Sequence, residues 1–210
     1  MAAQPPAHVI FDLGGVLIDW NPRYLYRRLF DGDEAGMERF LAEVCSPEWN
    51  LALDAGRPFA EAVAELCRSH PHERARIEAY HHSWLEMVAG PIDPTVAVLE
   101  ALAAAGVPLW ALTNWSAETF ALVRGQPAYA FLDRFRAIFV SGELQLVKPD
   151  PVLYRHVLDT IGAAPEACLF IDDSPKNVAG AEALGIRAHH FTDPASLRAV
   201  LADHGLLARA

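Results

Sequence analysis

Five short apolar runs punctuate the chain, at His8–Phe11, Pro108–Leu112, Ala137–Val140, Cys168–Ile171 and Arg187–Phe191. Stretches with helical periodicity precede, separate or follow the last four of them, at Pro94–Ala105, Ala117–Arg124, Pro151–Ile161, Lys176–Leu184 and Pro194–Ala202. Strands joined through helices of this length run parallel, because antiparallel neighbours would need only tight turns. The pattern predicts an α/β fold whose parallel sheet is covered by helices on both faces. Asp93-Pro94, Asp150-Pro151 and Asp193-Pro194 each offer an acidic N-cap followed by proline, and Ser174-Pro175 is a fourth helix start. Gly106 and Gly185 stand where helices should end before the next strand.

One stretch breaks this rhythm. Trp20 to Gly90 carries no convincing strand, only helical spacing such as Phe59, Val63, Leu66 and Cys67. Turn signals at Asp31-Gly32-Asp33, Ser46-Pro47, Gly56-Arg57-Pro58 and His70-Pro71 divide it into four expected helices. The expected organisation is a discontinuous Rossmann-like core, residues 1–19 and 91–210, with a three-layer α/β/α sandwich. An α-helical cap, residues 20–90, is inserted after the first strand.

Ligands of open α/β sheets bind beyond the carboxyl ends of the strands, so the polar residues delivered there matter most. The first strand delivers Asp12, then Gly14 and Gly15; the second delivers Thr113-Asn114. Lys148-Pro149 follows the third, and the fourth delivers Asp172-Asp173-Ser174. Each alone reads as an ordinary turn or cap residue. Together they place three carboxylates, a hydroxyl, an amide and an ammonium along one edge of one sheet, which four independent accidents would have to explain.

Composition narrows the class. The 210 residues include 17 Lys+Arg against 27 Asp+Glu, a net charge of −10, which disfavours a nucleic-acid binder. With 52% hydrophobic and 21% charged residues, the composition is globular. Asp12, Glu100 and Pro108 interrupt the most apolar stretches, so no membrane span is expected. The opening Met-Ala-Ala-Gln-Pro-Pro lacks the basic flank and apolar run of a secretory signal, and a cytoplasmic location is expected. Cys45, Cys67 and Cys168 are widely spaced and suggest neither a disulfide framework nor a zinc site. His70, His72, His81 and His82 lack metal-pair spacing and read as structural.

The motifs Phe11-Asp12-Leu13-Gly14-Gly15-Val16-Leu17, Leu112-Thr113-Asn114, Lys148-Pro149 and Ile171-Asp172-Asp173-Ser174, continued by Lys176-Asn177, resemble those of the haloacid dehalogenase (HAD) superfamily. The resemblance is to its phosphatase-like members with a helical cap and covers nearly the whole chain. The Asp-Leu-Gly opening is similar to that of bacterial α-D-glucose-1-phosphate phosphatases. The resemblance implies that Asp12 is a nucleophile that takes the phosphoryl group of a small phosphorylated metabolite. It implies Mg²⁺ held by Asp12, the Gly14 carbonyl, Asp172 and Asp173. Lys148 would neutralise charge, and Thr113 with the Asn114 backbone N–H would hold the phosphoryl oxygens.

The chain departs from the family at Gly14, where most of these phosphatases carry a second Asp as general acid and base. Three readings follow. A sugar-1-phosphate needs less protonation at its anomeric oxygen, or a substitute acid serves, such as Asp19 or a group from the cap. Alternatively the chain is a 2-haloacid dehalogenase, since halide leaves without a proton, although Asp172-Asp173 argues against a metal-free reaction. The third reading is a catalytically weak regulator that binds a metabolite or protein, against which the intact Asp12 argues. Trp20, Asn21, Arg57, Trp84 and Trp115 are candidates to touch the leaving group.

Overall fold

The computed structural model of the chain describes residues 5–208. Most of the N-terminal segment read above for a secretory signal, residues 1–4, lies outside them. Five parallel strands form the central sheet: β1 (His8–Phe11), β4 (Leu109–Thr113), β5 (Ile138–Val140), β6 (Cys168–Asp172) and β7 (Arg187–His190), in the order β5-β4-β1-β6-β7. Val9 lies opposite Leu109 on one side and Leu169 on the other, so β1 is central. The chain builds outward from β1 through β4 to β5, then returns to lay β6 and β7 on the opposite side. The crevice of such a reversal opens at the carboxyl end of β1.

Side-chain alternation sorts the core into two layers. Val9, Phe11, Leu109, Ala111, Leu169 and Ile171 pack on one face, against α6 (Asp93–Ala104), α7 (Ala117–Val123) and α11 (Pro194–Asp203). Ile10, Leu112, Phe139 and Phe170 point to the other, under α9 (Pro151–Ile161) and α10 (Pro175–Glu182). This is a three-layer α/β/α core of the Rossmann-like kind. Two acidic caps form as read: Asp150 accepts from Val152 N–H, and Asp193 from Ala195 and Ser196 N–H. Asp93 does not cap; it is the first residue of α6, with Ile92 at the cap position. Ser174 makes no side-chain cap bond either.

Across residues 20–90 the structure differs from the sequence reading in two ways. The stretch holds five α-helices, not four: α1 (Arg23–Leu29), α2 (Glu34–Glu43), α3 (Pro47–Asp54), α4 (Phe59–Ser69) and α5 (Arg74–His82). The four turn signals are the four breaks between them. It is also flanked by strands, because β2 (Ile18–Trp20) pairs antiparallel with β3 (Val88–Pro91). These strands are too short, and β3 too rich in glycine and proline, to show a two-residue period. A short helix, α8 (Ser141–Leu144), also follows β5. No helix among the described residues is long and apolar enough to cross a membrane.

Candidate active site

β1 ends at Phe11, so the next residue, Asp12, emerges at the carboxyl edge of the sheet, 7% exposed. Its Oδ1 accepts from its neighbour's N–H, that of Leu13, at 2.7 Å. Lys148 reaches the same point from the loop after α8. It is 2% exposed, and its Nζ lies 2.9 Å from Asp12 Oδ2 and 2.7 Å from Asp172 Oδ2. The ammonium also donates to the Leu112 carbonyl at 3.1 Å. Asn114 fixes the Lys148 backbone: its Oδ1 accepts from Lys148 N–H at 2.8 Å, and its Nδ2 donates to the Lys148 carbonyl at 3.1 Å.

Asp172, fully buried at the end of β6, is saturated with donors. Its Oδ1 accepts from Ser174 N–H at 2.8 Å and from Asn177 Nδ2 at 3.0 Å, while Oδ2 takes the lysine. Asn177, part of the fourth sequence motif and on the first turn of α10, holds Asp172 through its Nδ2.

Asp12, Asp172 and Asp173 bring carboxylate oxygens within 4.8 Å of one another. Burial pushes the Asp12 carboxyl above the ordinary carboxylate range; Lys148 opposes, and Asp172 and Asp173 add to the rise. Asp173 is pushed up by burial and then by Asp172. Burial would lower Lys148, but Asp12 and Asp172 outweigh it and hold the ammonium above its usual value. Three carboxylates thus crowd around one ammonium in ion-pair contact with two of them. An all-oxygen donor set with excess negative charge fits a hard divalent cation such as Mg²⁺.

The two glycines after Asp12 differ. Gly15 has φ +71°, and a Cβ there would lie 2.3 Å from Asp173 Oδ2. Gly14 has no such constraint, and a Cβ would meet nothing within 4 Å. Gly14 instead lines a cavity of about 80 Å³ with Trp20, Asp54, Trp84, Asn114 and Trp115 among its walls. Thr113, buried, is the last residue of β4, opposite Val140.

Of the residues read as touching a leaving group, Trp20, Trp84 and Trp115 line this cavity. The Trp84 and Trp115 rings are 5.4 Å apart. Asn21 and Arg57 are not among its walls. Asn21 Oδ1 accepts from Arg23 N–H at the start of α1, and Arg57 pairs with Glu65. Asp19 is turned elsewhere too, its carboxylate taken by the Tyr24 hydroxyl at 2.9 and 3.0 Å. His81 stacks on Phe59 with ring centres 4.5 Å apart. The three cysteines are free and buried, and burial pushes the Cys168 thiol up to about 11.

A parallel sheet that gathers buried acidic groups and one lysine at the mouth of its central strand defines a class of enzyme. The sequence profile of the haloacid dehalogenase-like hydrolases matches residues 6–185, and the chain belongs to that family of hydrolases. It is 29% identical over 195 residues to a sesquiterpene phosphatase of Aspergillus oryzae, covering 88% of this chain and 89% of that protein. It is 30% identical over 197 residues to a phosphoglycolate phosphatase of Rhodospirillum rubrum, covering 86% of this chain and 77% of the relative. Its fold is similar to that of a HAD family enzyme from Bacteroides thetaiotaomicron solved with magnesium and inorganic phosphate. That likeness has a TM-score of 0.68 and 22% identity, and covers 91% of this chain and 98% of the other.

Proposed function

We propose that the chain is a Mg²⁺-dependent phosphate-monoester hydrolase that works through Asp12 on a small phosphorylated metabolite. The observation that carries the reading is the buried Asp12–Lys148–Asp172 arrangement with Asp173 beside it. The names of the related phosphatases agree with it. Asp12, the Gly14 carbonyl, Asp172 and Asp173 would hold the cation. When bound, Mg²⁺ supplies the positive charge that lets a phosphate dianion approach a carboxylate.

The remaining roles belong to the chain itself. Asp12 attacks phosphorus, and its carboxylate then carries the phosphoryl group until water releases it. Lys148 offsets charge on Asp12 and on the transferring group. The Thr113 hydroxyl and the Asn114 backbone N–H bind phosphoryl oxygens where charge builds. Helices α1–α5 form a cap over the mouth, so residues 20–90 select the substrate and residues 1–19 with 91–210 perform the chemistry. The indole faces of Trp20, Trp84 and Trp115 suit the apolar side of a sugar ring, which makes a sugar phosphate a natural substrate class. The substrate is a small metabolite rather than nucleic acid or membrane lipid, and the enzyme works in the cytoplasm.

A dehalogenase would leave the acidic cluster without a purpose, because halide departs without a cation. The test is phosphate release from sugar and non-sugar phosphates with and without Mg²⁺. Release that requires Mg²⁺ and disappears in Asp12→Asn supports the reading. Absence of release from every member of a broad panel contradicts it.

A further inference from the structure

With Gly14 at the second position after the nucleophile, the reaction has no acid where the family usually keeps one. Asp19 does not supply it, since its carboxylate is held by Tyr24. Among the described residues, one carboxylate lines the cavity into which Gly14 faces: that of Asp54, the last residue of α3. The same residue borders the neighbouring groove, whose walls include Lys148 and Asn177. Asp54 therefore stands where the space beside Gly14 meets the space that reaches the lysine.

The helix is pinned at this point. The Asp54 carbonyl accepts from Ser141 Oγ at 2.6 Å, and that hydroxyl in turn accepts from Trp115 N–H at 2.8 Å. The carboxylate accepts from Asn50 Nδ2 at 2.9 Å, and the Ser116 N–H bonds to it as well. Asn50 Oδ1 accepts from the Tyr80 hydroxyl at 2.8 Å, which fixes the amide so that its NH₂ faces Asp54. These contacts hold the side chain in one place beside the loop that carries Thr113 and Asn114.

We infer that Asp54 is the general acid and base of this enzyme, supplied from the helical segment in place of the group missing at Gly14. This rests on the phosphatase reading above. As Asp12 attacks, the phosphorus–oxygen bond to the leaving group breaks, and its electron pair stays on that oxygen. The oxygen takes the Asp54 proton and departs as an alcohol. In the second step the Asp54 carboxylate takes a proton from the water that attacks phosphorus. The bond to Asp12 breaks, phosphate leaves, and both aspartates return to their starting states.

The electrostatics suit a group that must give and then take a proton. Burial pushes the Asp54 carboxyl up to about 7, against the Ser116 N–H, the Lys148 ammonium and the Asn50 amide, which pull it down. Tyr80, from α5, is the other titratable group facing it, a neutral hydroxyl. A general acid works best with its pKa near the operating pH.

Asp54 could instead be only a latch between α3 and the sheet, and the experiment must separate the two roles. The native chain and Asp54→Asn are compared on 4-nitrophenyl phosphate, whose leaving group departs without a proton, and on 2-phenylethyl phosphate, whose leaving group needs one. Asparagine keeps an acceptor for the Ser116 N–H. The inference expects kcat/KM, which reports the first step, to fall about 10²–10⁴-fold for the alkyl ester and far less for the aryl ester, whose kcat falls because its second step still needs the Asp54 base. Equal losses of kcat/KM on both esters by a variant that unfolds at the native temperature, or no loss on either, would overturn it.

If Asp54→Asn does not fold, the native pH profiles decide. The alkyl ester's kcat/KM should fall as pH rises through about 7, and the aryl ester's should lack that limb; coincident profiles overturn the inference. Cleavage of the aryl ester by the native chain is the phosphatase reading's own test, so the failure of that reading is told apart from the failure of this one.

Discussion

Asn114 grips Lys148 by both halves of its backbone, with Oδ1 on the N–H at 2.8 Å and Nδ2 on the carbonyl at 3.1 Å. The two residues are 34 apart in sequence, yet this clamp sets where the ammonium meets Asp12 and Asp172. An amide is needed, because only a group with both an acceptor and a donor can satisfy both partners at once.

Asn114→Ala should release the Lys148 backbone and let the ammonium drift from Asp12. A misplacement of this size costs about 10²-fold in rate, and the loss should fall mainly on kcat. Steady-state kinetics on an aryl phosphate measures it. Asn114→Asp, which keeps the acceptor but loses the donor, should recover only part of the rate.

The two glycines after Asp12 should respond differently. At Gly15, alanine brings both a left-handed backbone and a Cβ against Asp173. The backbone alone costs about 1–2 kcal/mol, and a melting-temperature drop of several degrees is expected, with weaker Mg²⁺ binding. At Gly14, where the Cβ meets nothing, alanine should leave the melting temperature close to native. Calorimetry on the two variants side by side checks the contrast.

The Asp54 carboxyl titrates at about 7 in the folded chain, above its ordinary value of 3.8. Between those values the folded state keeps a proton that the unfolded state has lost, so folding binds protons and stability falls as pH rises. Asp54→Asn removes this contribution. Between pH about 4 and about 7, the native melting temperature should therefore decline more steeply than the variant's, with the two running parallel above that window.

Mg²⁺ should stabilise the chain by mass action, by about 2.7 kcal/mol at one hundred times its dissociation constant. Asp173→Asn should reduce that gain, because it removes one charge from the three-carboxylate cluster. Melting temperature against Mg²⁺ concentration reads both effects, and chelation should return the native chain to its metal-free value.

The sheet was legible mainly because β1, β4 and β6 are apolar runs that lead into polar residues: Phe11 gives way to Asp12, Leu112 to Thr113-Asn114 and Ile171 to Asp172-Asp173. The edge that gathers Asp12, Lys148, Asp172 and Asp173 follows from that pattern and from parallel topology. The β2–β3 ribbon was hidden, since three residues facing Val88, Gly90 and Pro91 carry no period that distinguishes a strand. Asp93 looked like its neighbours in sequence yet begins α6 itself, a one-residue difference no local signal resolves. Asp54 was out of reach for another reason. Its place depends on Ser141, 87 residues away, fastening the end of α3 to the sheet. Local spacing carries no trace of that contact. The i, i+4 pair Asn50–Asp54 was the one available signal, and it reads equally well as an ordinary helix surface.

In the proposed reaction Asp12 carries the phosphoryl group. The native chain, quenched in acid during Mg²⁺-supported turnover of an aryl phosphate, is digested and the peptide containing Asp12 is weighed. One phosphoryl group is expected on Asp12, absent without Mg²⁺ and absent in Asp12→Asn. Undiminished phosphate release by Asp12→Asn, with no phosphoryl group found on the native peptide, would contradict it.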